Sequence, residues 1–298
     1  MSNQLSVLVI GATGQQGGAV ARELLSRGHH VRAFTRNVDS DSARQIESRG
    51  TELAVGDAEE LESVARAARG VDAVYAMTTF FESGLEAEVR QGLAIADAVN
   101  AARVGHFVYA SVASADRSTG IPHFDSKFEI ESHIRALGMP HTIVAPVFFY
   151  ENLLSPWTLP GLVQGTYALP VTPDRPVQQI PIQDIASFVS LVIENRDRFL
   201  GKRIDIASDE PSGKQAAEII TAASGRPIDY VQVPIAKAYE MSADAAKMYE
   251  WFDAVGYSAE IETLRGDYPE VGWHSFEEWA QAQDWDILNG VSATSSAA

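Results

Sequence analysis

The segment LSVLVIGATGQQGGAVARELL, residues 5–25, leaves this chain few folds to adopt. An apolar, β-branched run ends at Gly11, and a helical pattern follows over Gln15–Ser26. Glycines at 11, 14 and 17 punctuate the junction. One glycine permits the tight strand-to-helix turn, one lets the backbone approach a pyrophosphate, and one lets the helix pack closely on the strand. The helix N-terminus contributes unpaired N–H groups and the positive end of its dipole. The spacing is GxxGxxG rather than GxGxxG. A tight βα turn with no ligand is the plain alternative. Its placement directly after VLVI and before a helix favours a phosphate cradle.

The rest of the first half repeats this alternation. Strands are predicted at residues 30–35, 52–55, 72–77, 106–111 and 141–146, with helices near 59–69, 84–104 and 123–138. Short apolar runs separated by helical stretches predict an α/β fold, a doubly wound parallel sheet covered on both faces. After Asn152 the pattern breaks at SPWTLPGLVQGTYALPVTPDRP, residues 155–176, rich in Pro and Gly. A helix near 183–195, a strand near 203–207, a helix near 212–224 and a strand near 229–233 come next, with more helices to about 284. The expected organisation is a nucleotide-binding Rossmann domain over 1–152, and over 153–290 a smaller α+β region, interleaved with it on the substrate side. The small polar tail at 291–298 is expected to be disordered.

At 298 residues and 46% hydrophobic composition the chain can bury a large core. It has no cysteine, which excludes a disulfide scaffold and thiolate catalysis. A net charge of −17 opposes direct docking on nucleic acid. The N-terminus carries no basic segment before a strand-length apolar run, so neither a signal peptide nor a membrane span is expected. A cytoplasmic location is expected of such a chain. The histidines show no metal-ligand spacing, and there is no GxSxG elbow.

The loops after the strands carry the chemistry. The second strand ends in Thr35-Arg36-Asn37, with no carboxylate before Asp39. An acidic residue here would accept from ribose hydroxyls, whereas a guanidinium suits a 2′-phosphate, so NADP(H) is favoured over NAD(H). Asp57 has two readings. It accepts from an adenine amino group at the rim, or it caps a helix with Glu60 in a capping box. Thr78 and Thr79 leave the fourth strand where open α/β sheets bind ligands, placed to meet the nicotinamide half.

In total the chain resembles the NmrA-like family of atypical short-chain dehydrogenases. The resemblance runs from residue 5 to about 285 and rests on VIGATGQQGGAVARELL, FTRN, GDAEEL, HFDSKFEIE and PVFFYENLL. It implies an NADP(H)-binding Rossmann domain, a small C-terminal domain and a cleft between them. In family terms Gly11, Thr13, Gly14, Gln15, Gln16, Gly17, Arg36 and Asn37 hold the phosphates, and Asp57 lies near adenine. Thr78, Lys127 and the Pro146–Asn152 segment, with Phe149 in it, would lie near the nicotinamide. The family includes NADP(H) sensors without turnover and reductases of quinones or of activated C=C and ether bonds. The implied partner is a small-molecule substrate or a regulatory protein, with the chain a monomer or homodimer and no direct nucleic-acid or membrane contact.

The resemblance makes His123-Phe124-Asp125-Ser126-Lys127 the decisive stretch. Short-chain dehydrogenases place a Tyr four residues before the Lys, and here His123 stands in its place. On a helix, residues 123 and 127 share a face one turn apart. Lys127 can hold a nicotinamide ribose. His123 is a candidate acid, or simply a residue at a helix start. Ser111, ending the fifth strand, either polarises a carbonyl or satisfies local backbone groups, with Ser114 a second candidate. The sequence therefore predicts an NADPH-dependent reductase of a small electrophile (quinone, enone or imine), or a non-catalytic NADP(H) sensor, with Lys127, His123 and Ser111 as the catalytic candidates.

Overall fold

The computed structural model describes residues 4–289. The tail expected at 291–298 lies outside the described residues. The first half alternates as its pattern predicts, with α2 added: β1 (Ser6–Ile10), α1 (Gln15–Ser26), β2 (His30–Thr35), α2 (Asp41–Glu47), β3 (Glu52–Val55), α3 (Leu61–Ala67), β4 (Ala73–Met77), α4 (Leu85–Ala101), β5 (His106–Ala110), α5 (Pro122–Ala136) and β6 (His141–Pro146). A seventh strand, Arg203–Ile206, pairs with β6. From that edge the order is Arg203–Ile206, β6, β5, β4, β1, β2, β3, and every pairing is parallel.

The covering of both faces explains the unbroken apolar strands. β5 is buried at every position, as a parallel strand between two helical layers must be. Leu8, Ile10, Val74, Phe107 and Ile143 join residues of α3, α4 and α5 in one core cluster. The alternate residues Val7 and Val9 are equally buried and point to the other face, where α1 packs against the helix Ile182–Glu194. The strand order reverses between β1 and β4. The crevice beyond the carboxyl ends of the strands at such a reversal is where open α/β sheets take ligands.

Two features escape the sequence pattern. Helix α2 has seven residues, started by Ser40, whose Oγ accepts from the Ala43 N–H at 3.2 Å. Inside the Pro/Gly-rich stretch lie a short helix, Leu159–Val163, and a strand, Thr166–Leu169. Each is too short to display a period.

The described chain parts into two compact units: residues 4–146 with Ile182–Ile206 and Leu264–Gly272, and Val147–Pro181 with Ala207–Thr263 and residues 273–289. The second unit has its own core, built on Tyr150, Leu162, Tyr167, Ile220, Phe276 and Trp279. Its strands Thr166–Leu169 and Asp229–Gln232 pair in parallel. Capping boxes at Ser212/Gln215 and Ser275/Glu278 start two of its helices. Among the described residues no helix is long and apolar enough to cross a membrane.

In the first unit α4 and α5 meet at Gly92, where an added Cβ would overlap the buried Ile130 side chain. This approach seats α5, the helix of His123 and Lys127, against α4. Gly92→Ala should therefore cost about 1–3 kcal/mol by overpacking. In an Ile130→Ala background the added cost should fall by about 1 kcal/mol or more, because the two changes share one space. Urea unfolding of the four chains checks this; strictly additive losses would contradict it.

Candidate functional site

The glycine turn sits at the carboxyl end of β1, beside the reversal of strand order. Gly11 has φ +88°, a conformation side chains avoid, and an added Cβ would stand 2.8 Å from the Met77 side chain. At Gly17 a Cβ would land on the Gly11 carbonyl, so α1 can press on the turn only through a glycine. Gly14 is different. Its φ of −91° and ψ of 179° suit any residue, and a Cβ there would meet only Gly11 O, at an ordinary 3.4 Å. Nothing inside the protein requires Gly14 to lack a side chain. As N-cap of α1 it makes no side-chain cap, and the first turn holds no carboxylate. Thr13 and Gln15 are exposed, whereas Gln16 is buried with Nε2 lacking a partner among the described residues. The turn is thus a bare, electropositive cradle.

On one side of this turn Arg36, the first residue after β2, pairs with Glu82 at 2.6 Å. Asn37 Oδ1 accepts from the Asp39 N–H at 2.9 Å, which commits that side-chain oxygen to a local Asx turn. Asp57 likewise accepts from the Glu59 N–H at 2.9 Å. Of the two readings of Asp57, the capping box with Glu60 does not form. Helix α3 begins only at Leu61, with Glu60 as an N-cap that makes no side-chain bond. Ser63 fastens the turn instead, donating to Asp57 O at 2.7 Å and accepting from the Asp57 N–H at 3.1 Å.

Thr78 and Lys127 come together as the centre of a buried polar knot. Lys127 Nζ has three N–H groups, and it has three near acceptors: Thr78 O at 2.6 Å, Thr78 Oγ1 at 3.0 Å and Glu88 Oε1 at 3.0 Å. Glu88 is fully buried and also accepts from Ser126 Oγ at 2.6 Å and from Thr78 Oγ1 at 3.3 Å. Tyr109 lies 3.0 Å from Thr78 Oγ1. Burial holds the Tyr109 phenol well above its ordinary pKa, so it keeps its proton and can donate it to Thr78. Burial pulls the Lys127 ammonium below the usual lysine range, and the Glu88 carboxylate opposes that pull.

His123, one turn earlier on α5, stacks on Phe80 with ring centroids 5.2 Å apart. It stands second in the helix, after Pro122, with exposed Asp125 in the same first turn. Thr79 Oγ1 accepts from the Phe81 N–H at 3.3 Å and shapes the turn that carries Phe80. Ser111 belongs to a second knot. Its Oγ donates to Glu131, which is fully buried and bound by Arg203 at 3.0 Å and Arg135 at 2.7 Å. Arg203 in turn holds Asp205, which accepts from the Ser114 N–H at 3.1 Å. Ser114 has φ +63°, and its Oγ is buried without a partner. Pro146 ends β6 and accepts from the Ala113 N–H at 2.9 Å. Phe149 and Asn152 belong to the second unit, in a two-residue strand paired with Gln179–Ile180 and in a 3₁₀ turn.

Sequence reasoning missed Glu88, Glu131 and Tyr109. The first two had a readable signal. Glu88 falls at the inward spacing of Gly92, Ile95 and Val99 along α4, and Glu131 at that of Lys127 and Ile134 along α5. A carboxylate in a buried stripe demands a partner. Tyr109 carried none, because every neighbour on β5 is buried too.

The sequence profile of the NmrA-like family matches residues 3–280. An NAD(P)H azoreductase of Xenophilus azovorans is 28% identical over 233 residues, 78% of this chain and 78% of that protein. NmrA, a negative transcriptional regulator solved in complex with NADP, superposes with TM-score 0.74 at 22% identity, over 94% of this chain and 95% of its own. An NADPH-dependent quinone oxidoreductase of Escherichia coli, complexed with NADPH, gives TM-score 0.78 at 21% identity, over 92% and 98%.

The glycines of the turn should separate by role in thermal unfolding. Gly17→Ala must move backbone and should lower Tm by about 3–8 °C. Gly14→Ala should leave Tm within about 1 °C, since its backbone angles suit alanine. Equal losses would place Gly14 among the packing glycines.

Proposed function

The chain belongs to the NmrA-like family, and from that premise we propose that it is an NADP(H)-dependent oxidoreductase acting on a small electrophile of the quinone, enone or imine type. One observation carries the cofactor reading: Gly14 is bare where the protein itself leaves room for a side chain. The space is kept for something outside the chain, at the helix end and strand reversal that suit a pyrophosphate. The orphaned Gln16 amide in the same turn fits this reading. Gly11, Thr13, Gly14, Gln15, Gln16 and Gly17 would hold the phosphates, Arg36 and Asn37 the 2′-phosphate end and Asp57 the adenine rim, while Thr78, Thr79, Lys127 and Pro146 would line the nicotinamide half. The bound cofactor supplies a hydride.

The chain's own residues argue for the substrate class. No tyrosine precedes Lys127 by four residues, the three Lys127 donors are engaged, and the Ser111 hydroxyl is turned to Glu131. A ketone, which needs a protein acid in the transition state, would gain little here. A quinone or enone accepts hydride with its proton drawn from solvent. Phe80 and His123, stacked at the strand ends, offer an aromatic surface to a flat substrate.

The same engaged donors favour a second reading, an NADP(H)-responsive regulatory protein. It draws support from the structural likeness to NmrA, itself a negative transcriptional regulator.

Binding and turnover test both. Arg36→Ala should weaken NADPH binding about tenfold or more, the cost of losing a charge-assisted bond, and NADH by less than about twofold; equal losses would remove Arg36 from the 2′-phosphate. Steady NADPH consumption with at least one of a panel of quinones, enones and imines is expected of the enzyme. A chain that binds NADPH and consumes none across the panel is the regulatory protein instead.

A further inference from the structure

Arg36 and Glu82 reach each other from opposite sides of the glycine turn. Arg36 follows β2 and Glu82 follows β4, and β1 with its turn lies between those strands. Adjacent strands are about 4.8 Å apart, so β2 and β4 are separated by about 10 Å. The ion pair therefore joins the loops that leave the two strands flanking β1. It is a single contact, Nη2 to Oε2 at 2.6 Å, with the two side chains 62% and 60% exposed. The remaining Arg36 donors have no protein partner among the described residues.

We propose that Glu82 is a specificity-determining residue: its carboxylate competes with the cofactor's 2′-phosphate for the Arg36 guanidinium and so sets how strongly NADP(H) is preferred over NAD(H). The proposal rests on the cofactor reading above. A guanidinium offers a fork of donors to one planar anion, and a carboxylate and a phosphate suit that fork alike. With Glu82 already on it, an arriving phosphate must displace a resident anion or share the cation at close range with a like charge. NAD(H) carries no 2′-phosphate and does not enter this contest. Exposed pairs are weak and screened by salt, so the resident carboxylate tunes the preference without blocking it.

The test is a nucleotide titration of the full chain and three variants, Glu82→Gln, Arg36→Ala and the double variant, with NADPH and NADH at low ionic strength. Both positions are exposed, and none of the variants disturbs the core. Glu82→Gln should bind NADPH about two- to fivefold tighter than the parent chain, the range an exposed ion pair returns, with NADH changed by less than about 1.5-fold. The gain should vanish in the Arg36→Ala background and shrink at about 0.5 M added salt. Unchanged or weaker NADPH binding by Glu82→Gln overturns the proposal, because the carboxylate would then orient the guanidinium instead of contesting it. A gain that persists without Arg36, or that appears equally for NADH, overturns it as well. A parent chain that binds neither nucleotide sinks the cofactor reading and this proposal with it. One that binds NADPH with no Glu82→Gln gain sinks this proposal alone.

Discussion

A fully buried carboxylate against a nearly buried ammonium is the interaction on which the first unit turns. Glu88 comes from α4, Lys127 and Ser126 from α5, Thr78 from the end of β4, and Tyr109 from β5. One knot therefore ties two strands and two helices at the carboxyl edge of the sheet. Its members are mutually dependent. Remove Lys127 and a buried charge loses its counterion, a loss of about 3–5 kcal/mol; remove Glu88 and the ammonium meets the same fate. The geometry is tolerated only because each donor has an acceptor, with the Tyr109 proton running to Thr78 and the Thr78 proton to Glu88. Such a knot adds little net stability over an apolar replacement, but it admits one arrangement of α4, α5 and β4.

That edge was partly legible in the sequence, and the limits have physical causes. Strand and helix positions in the first half follow from period and burial, which are local and redundant: a parallel strand covered on both faces reads as an apolar run whatever its neighbours. The glycine turn was legible for a similar reason, since backbone constraints act within a few residues. Pairings across the fold were not. Arg36 could be read as a cation after β2, but not as one already holding Glu82, because the two are separated by 46 positions. Asp57 illustrates the converse, one of its two readings falling away. Its spacing to Glu60 satisfied a local rule, yet Ser63 captured the turn from six residues away and the helix began later. In the second unit, the strand Thr166–Leu169 lay in a stretch rich in Pro and Gly, and its pairing with Asp229–Gln232 becomes visible only when the chain is folded.

The two buried carboxylates also decide what a dehydrogenase-like edge can do here. Lys127 and Ser111 stand at the positions where their residue types would assist carbonyl reduction, and each is engaged by a buried glutamate: Ser111 by Glu131 of α5, Lys127 by Glu88 of α4. Replacing a tyrosine by His123 alone would leave a lysine able to activate some other acid. Binding that lysine to a buried carboxylate removes this option, because its donors point inward and its charge is compensated on the spot. What stands beside them at the strand ends is the aromatic stack of Phe80 and His123 and the bare glycine turn. On the function proposed above, chemistry at this edge would be selected by the acceptor: a substrate that draws its proton from solvent asks nothing further of Lys127 or Ser111, whereas a ketone would.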